Sequence, residues 1–138
     1  MTDLSLLKDH LHTIYSENPF VTLLQMEIVE LDTGKATLFM PIKTKHTNFY
    51  NSAHGGALAA LADTAMGMAC TTTGKKVVTL DMNLNYIRDI PCQEALTAVG
   101  LIIHNGSRTI VATTDIFNNT HQLVVSARAT FFVTGTFF

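Results

Sequence analysis

Asp63 is the one formally charged side chain between Lys45 and Lys75. It stands midway along HGGALAALADTAMGMAC, residues 54–70, a segment that is otherwise apolar or small. The run has helical length and is apolar on nearly every side. A helix of that kind has no solvent face and must be wrapped by other elements. Its single acid is costly to bury unless paired or hydrogen-bonded. On a helix its neighbours are Ala59, Ala60, Met66 and Gly67, none of which pairs with a carboxylate. Asp63 therefore faces water at an edge, makes a structural hydrogen bond to a strand, or serves chemistry in a cleft.

The surrounding pattern supplies the wrapping. Leu4 to Tyr15 reads as an amphipathic helix with Leu4, Leu7, Leu11 and Ile14 on one stripe. Pro19 closes that region. Thr22 to Leu31 alternates roughly, and the Asp32-Thr33-Gly34 turn leads to a strand over Lys35–Ile42. A polar loop, Thr44 to Ser52, feeds the long helix. That helix starts near His54 and ends near Thr73, with Gly74 as its left-handed terminator. Four strands follow. Val77 to Tyr86 alternates Val78, Leu80, Met82, Leu84 and Tyr86 against Thr79, Asp81, Asn83 and Asn85. Ala95–His104 and Arg108–Asn118 flank the hairpin signal Asn105-Gly106, and Gln122–Val133 comes last. The last three strands, closely connected, predict an antiparallel meander. The simplest fold is an α+β one: an antiparallel sheet curled around the long helix, with a short helix at the N-terminus.

At 138 residues the chain is expected to be one domain, residues 1–138. Only 14% of residues are charged, against roughly 25% in typical globular domains. Such a surface suits an oligomer. A net charge of -2 gives no basic footprint for nucleic acid. Cys70 and Cys92 form no CxxC, which suits a reducing, cytoplasmic setting. No leader pattern and no membrane span are expected. His10, His12, His46, His104 and His121 are scattered with no acidic cluster, so neither a metal site nor a cofactor is expected.

The layout, together with Asn48-Phe-Tyr-Asn-Ser-Ala-His54-Gly55-Gly56 and the run to Asp63, resembles the hotdog-fold acyl-CoA thioesterases. Within that family it is most similar to the phenylacetic-acid-degradation branch, which includes the thioesterase-superfamily-member-2-like enzymes. Three features carry the resemblance: an Asn six residues before the His, the His-Gly-Gly, and an Asp nine residues after the His. Thr79 also stands where the family's post-helix strand carries a Ser or Thr. The resemblance implies a homodimer with one continuous sheet, often paired into a homotetramer, with active sites at the dimer interface. It also implies that Asn48 and His54 orient the thioester or leaving group, and that Thr79 holds the attacking water or Asp63.

The residues themselves allow that chemistry. Gly55 and Gly56 at a helix start present backbone N–H groups that can polarise a carbonyl. Lacking side chains, they permit close approach. Asp63 can act as general base on water or attack directly to give an anhydride. The two parts are eight residues apart, about 12 Å along a helix, whereas the reacting carbonyl must lie about 3 Å from both. Two antiparallel helices across a twofold axis satisfy this, with Gly55 of one subunit facing Asp63 of the other.

Phe49, Tyr50, Met66 and Met82 are expected to line the acyl pocket, for an aromatic or medium-chain acyl group. Arg88 and Arg108, with Arg128, Lys75 and Lys76, are candidates for the CoA phosphates. The absence of an obvious basic docking patch favours CoA over an acyl-carrier protein. Bland readings stand beside these: His54 as a helix cap, Gly55 and Gly56 as packing glycines, Asn48 as loop chemistry. The rival functions are a non-catalytic acyl-CoA-binding regulator and a hydratase or dehydratase on the same fold.

Overall fold

A computed structural model describes residues 3–138; the leader reading at Met1 and Thr2 lies outside them. Helix α1, Leu4–Ser16, opens with Asp3 accepting hydrogen bonds from the Ser5 and Leu6 N–H groups. It buries Leu7 and Leu11. Its stripe continues through half-buried Tyr15, because Ile14, expected on that face, turns to solvent. Pro19 begins an element where the sequence reading ended one. Asn18 caps Phe20 and Val21, and Pro19 takes the first position of α2, Pro19–Leu23, where its missing N–H costs nothing. The first strand is correspondingly shorter than Thr22–Leu31. It follows Gln25, at φ 58, and runs as β1, Glu27–Asp32.

The remaining strands are β2, Lys35–Pro41; β3, Lys75–Tyr86; β4, Ala95–Asn105; β5, Thr109–Phe117; and β6, Leu123–Thr136. They form one antiparallel sheet in the order β1-β2-β4-β5-β6-β3. Strands β4, β5 and β6 are the expected meander. Asn105-Gly106 does not make a two-residue turn: Asn105 ends β4 and the loop extends over 106–108.

Helix α3, Gly55–Thr71, lies against β2 to β6. Leu58, Leu61, Ala62, Ala65, Met66, Met68 and Ala69 are buried in that contact. Gly74, at φ 87, ends the excursion after it as expected. This wrapped helix and short N-terminal helix are the hotdog arrangement. Among the described residues no helix is long and apolar enough to cross a membrane.

Of the register shifts in the sheet, the one in β3 bears on the helix. The register of β3 against β6 slips between Thr79 and Asp81. Val77 and Thr79 lie on the helix side, and so do Met82, Leu84 and Tyr86 beyond the slip. Val78 and Leu80, expected on the core face, are 52% and 57% exposed. A bulge inserts one residue and so exchanges the faces of everything after it.

Close approach of helix to sheet depends on Gly100 in β4, where a Cβ would collide with the Ala65 carbonyl. Gly100→Ala should therefore lower the unfolding free energy by about 3 kcal/mol, the upper end of overpacking costs, as read from urea denaturation. Burial pushes the Cys70 thiol up to about 12, because the thiolate is the disfavoured form. At pH 8 its thiolate fraction is then on the order of 10⁻⁴. Alkylation of the native protein at that pH should label half-buried Cys92 and spare Cys70, with both labelled after denaturation.

Candidate active site

Helix α3 presents Gly56, Ala60, Asp63 and Gly67 on the side the sheet leaves open; Asp63 and Gly67 are half-buried and Gly56 exposed. That is where a carboxylate can sit without full desolvation. The Thr79 hydroxyl donates to Asp63 Oδ1 at 2.7 Å, a short charge-assisted bond. Asp63 Oδ2 accepts no hydrogen bond among the described residues. Asp63 lines a cleft of ≈ 230 Å³ that is also lined by Tyr15 of α1, by Asn18, the cap of α2, and by Phe20 and Val21 of α2. Burial pushes the Tyr15 hydroxyl up to about 12, so Tyr15 enters the cleft as a neutral group.

The helix start is arranged differently. His54 caps α3 with its ring, Nδ1 accepting from the Gly56 N–H at 2.8 Å. The expected pair of free donors is therefore one: Gly56 is occupied by its own cap, and the Gly55 N–H donates to no acceptor among the described residues. Tyr86 fixes that end of the helix. Its hydroxyl donates to the Gly55 carbonyl at 2.9 Å, and its ring stands where a Gly55 side chain would go, with the hydroxyl 3.3 Å from an ideal Cβ. Gly55 and Tyr86 line a second cleft of ≈ 280 Å³ with Arg88. His54 and Gly56 border a third hollow of ≈ 240 Å³ with Phe20 and Lys45.

The approach loop is held from within. Asn48 Oδ1 accepts from the Tyr50 and Ser52 N–H groups at 2.9 and 3.2 Å, an Asx turn. Buried His46 anchors the loop base, with Nδ1 accepting from the Lys43 N–H and Nε2 bonded to the Leu24 carbonyl.

The chain thus brings Thr79 to Asp63 and Tyr86 to Gly55, while Gly55 and Asp63 line separate clefts. Phe49 and Tyr50 stand out from their loop, 102% and 84% exposed, and line none of these clefts. Met66 is wholly buried in the core and offers no surface to a ligand; Met82 packs half-buried against the core. Arg88 borders the Gly55 cleft, whereas Arg108 lies in the β4–β5 loop at the opposite end of the sheet, so one chain does not combine them. Among the described residues no three His, Cys, Asp or Glu side chains converge as a metal site requires. Sequence reasoning missed Tyr86 and the α1–α2 wall. Asn18-Pro19 was a legible helix start, but Tyr86 has no local signal, because its partner is 31 residues away.

The comparisons agree with this architecture. The family model described as Thioesterase superfamily matches residues 50–125, more than half of the chain. The acyl-coenzyme A thioesterase PaaI of Escherichia coli (strain K12) is 30% identical over 117 residues, which cover 85% of this chain and 84% of that protein. The solved structure of the E. coli PaaI protein from the phenylacetic acid degradation operon superposes with a TM-score of 0.90, at 28% identity over 94% of each chain. Human acyl-coenzyme A thioesterase 13 is 28% identical over 109 residues, 77% of this chain and 78% of that one. A hypothetical thioesterase protein from Streptococcus pneumoniae TIGR4, solved with coenzyme A, matches with a TM-score of 0.78 and 32% identity, over 80% of this chain and 90% of that one. The chain belongs to the thioesterase superfamily and, as a member, is a thioester hydrolase.

Proposed function

We propose that this protein hydrolyses the thioester of an aromatic or medium-chain acyl-CoA, releasing the free acid and CoA, as a homodimer that pairs into a tetramer. The observation that carries the reading is the division of labour on α3. Asp63 is anchored through one oxygen and open through the other, and Gly55 keeps an uncommitted N–H about two turns away. In the proposed dimer, Gly55 of the partner subunit polarises the thioester carbonyl. Asp63 takes the proton of the attacking water, or attacks the carbonyl carbon itself to give an acyl anhydride that water then hydrolyses to the free acid and Asp63. The carbon–sulfur bond breaks, and the CoA sulfur leaves and takes up a proton. Thr79 keeps the carboxylate aimed, and Asn48 and His54, which shape the loop and the helix start, orient the substrate.

The β3 edge supports the pairing. It is twelve residues long, its outer side pairs with no strand among the described residues, and Val78 and Leu80 are exposed along it. An open edge of that length and character needs cover. Two β3 edges joined antiparallel supply it, and they carry the helix start of one subunit towards the Asp63 of the other. Phe49 and Tyr50, exposed in one chain, then reach the acyl group from across the interface. Arg88, beside the Gly55 cleft, is placed for a CoA phosphate, and Arg108 serves from another subunit. The relative solved with coenzyme A supports a CoA carrier, and the two free cysteines support a cytoplasmic setting.

Asp63→Ala should fold, keep the wild-type sedimentation coefficient, and lose about 10²–10⁴ in kcat for thiol release from acyl-CoAs. Full turnover in that variant would sink the mechanism. Wild-type binding without turnover would favour the acyl-CoA-binding role instead. Tyr86→Phe removes the restraint on the Gly55 peptide, a hydrogen bond worth about 1 kcal/mol. It should lower kcat about fivefold, with KM little changed, in the same assay.

A further inference from the structure

Next to the Asp63 cleft, across Tyr15 and Val21, lies a larger, partly open chamber of ≈ 360 Å³, lined by α1, α2 and the start of β1. The two hollows share two lining residues, Tyr15 and Val21. Tyr15 projects from the last turn of α1, half-buried and packed on the core. The chamber adds Met26 and Ile28 as apolar wall, with polar His12, Gln25 and Glu27 beside them. The cleft alone falls below the roughly 300–1,000 Å³ of small-molecule sites. Cleft and chamber together fall within that range. On the cleft side, Gly67 keeps the space one turn beyond Asp63 clear, because no side chain projects there.

We propose that Tyr15, backed by Val21, is the acyl-length stop of this site. An acyl group whose carbonyl sits at Asp63 ends against the Tyr15 ring, and the ring closes the chamber behind it to longer chains. This rests on acyl-CoA hydrolysis at Asp63 and narrows the substrate class to short or single-ring acyl groups. Taking the wall away joins the two hollows and admits a longer apolar tail, with the tail lying on Met26 and Ile28.

The test is kcat/KM for hexanoyl-, decanoyl- and palmitoyl-CoA in wild type, Tyr15→Leu and Val21→Ala. Leu11→Ala serves as a core deletion on the same helix that lines neither hollow. Wild type should prefer hexanoyl-CoA. Both wall variants should raise the decanoyl-to-hexanoyl ratio at least tenfold, since single methylenes in an apolar pocket are discriminated by about that factor or more. Leu11→Ala should keep the wild-type ratio. The length stop is overturned if folded wall variants keep that ratio, if Leu11→Ala shifts it equally, or if wild type already prefers palmitoyl-CoA. Val21→Ala decides alone where Tyr15→Leu gives no cooperative melt. Absence of wild-type turnover on all three, and on phenylacetyl-CoA, overturns the hydrolysis reading itself and is recognisable as such.

Discussion

A helix that is apolar on almost every side can be stable only if something surrounds it, and the rest of this molecule is arranged to do so. Five strands contact α3, and they can approach closely because β4 carries Gly100 opposite the Ala65 carbonyl. The helix is also tethered by polar contacts. Thr114 donates to the Ala62 carbonyl, and the Thr72 hydroxyl links the helix end to Gly34 in the β1–β2 turn. A curled open sheet encloses a cylinder only in part. The uncovered strip is the one on which Gly56, Ala60, Asp63 and Gly67 recur every three or four residues. Small residues and one acid are what such a strip tolerates: no large apolar group left in water, and a charge kept partly solvated.

The slip in β3 solves a second problem. Without it, a strict alternation starting from Thr79 would place Asp81, Asn83 and Asn85 on the helix side. Inserting Leu80 into the outer face lets Thr79 reach Asp63 while Met82, Leu84 and Tyr86 still turn inward. One extra residue thus reconciles a polar contact at the middle of α3 with apolar packing towards its start. It also leaves Val78 and Leu80 exposed on a sheet edge. Isolated, that arrangement invites association, and the proposed dimer would cover it.

Much of this was legible in the sequence. The order of elements, the wrapped helix, the Gly74 terminator and the meander follow from periodicity and turn residues acting over a few positions. The isolation of Asp63 marks it as the acid of the candidate site, and Thr79, which donates to it in the fold, is among the residues the sequence singles out. What stayed hidden depends on partners distant in sequence. The bulge is invisible because Val77 to Tyr86 reads as unbroken alternation, and only pairing with β6 fixes the slip. The capping of Gly56 by His54 left one helix-start donor instead of two, a competition between local side chain and ligand that spacing alone does not decide. Met66 suits an acyl pocket by chemical type, yet its helical position points it into the sheet. In the sequence Tyr15 is only the last residue of an amphipathic helix, and the fold alone sets it against both the Asp63 cleft and the chamber lined by α1 and α2.

Strand β3 links these features. It runs back along α3, so its residues meet the helix in reverse order: Thr79 at Asp63, then Tyr86 at Gly55. Both groups assigned to the chemistry are therefore held by the same strand, and that strand is also the exposed edge. In the proposed dimer, a shift of one β3 edge against the other would move Thr79 and Tyr86 together with the groups they hold. The distance from Asp63 to Gly55 of the partner subunit would then be set by the register of the β3 pair, not by flexible loops. A ladder of backbone hydrogen bonds fixes register in discrete steps, which is the tolerance an acid and an oxyanion donor from different chains require. The unpaired edge and the divided site are, on this reading, two aspects of one constraint: a single helix separates its acid and its donor by about 12 Å, and a second copy is the simplest way to bring them back together.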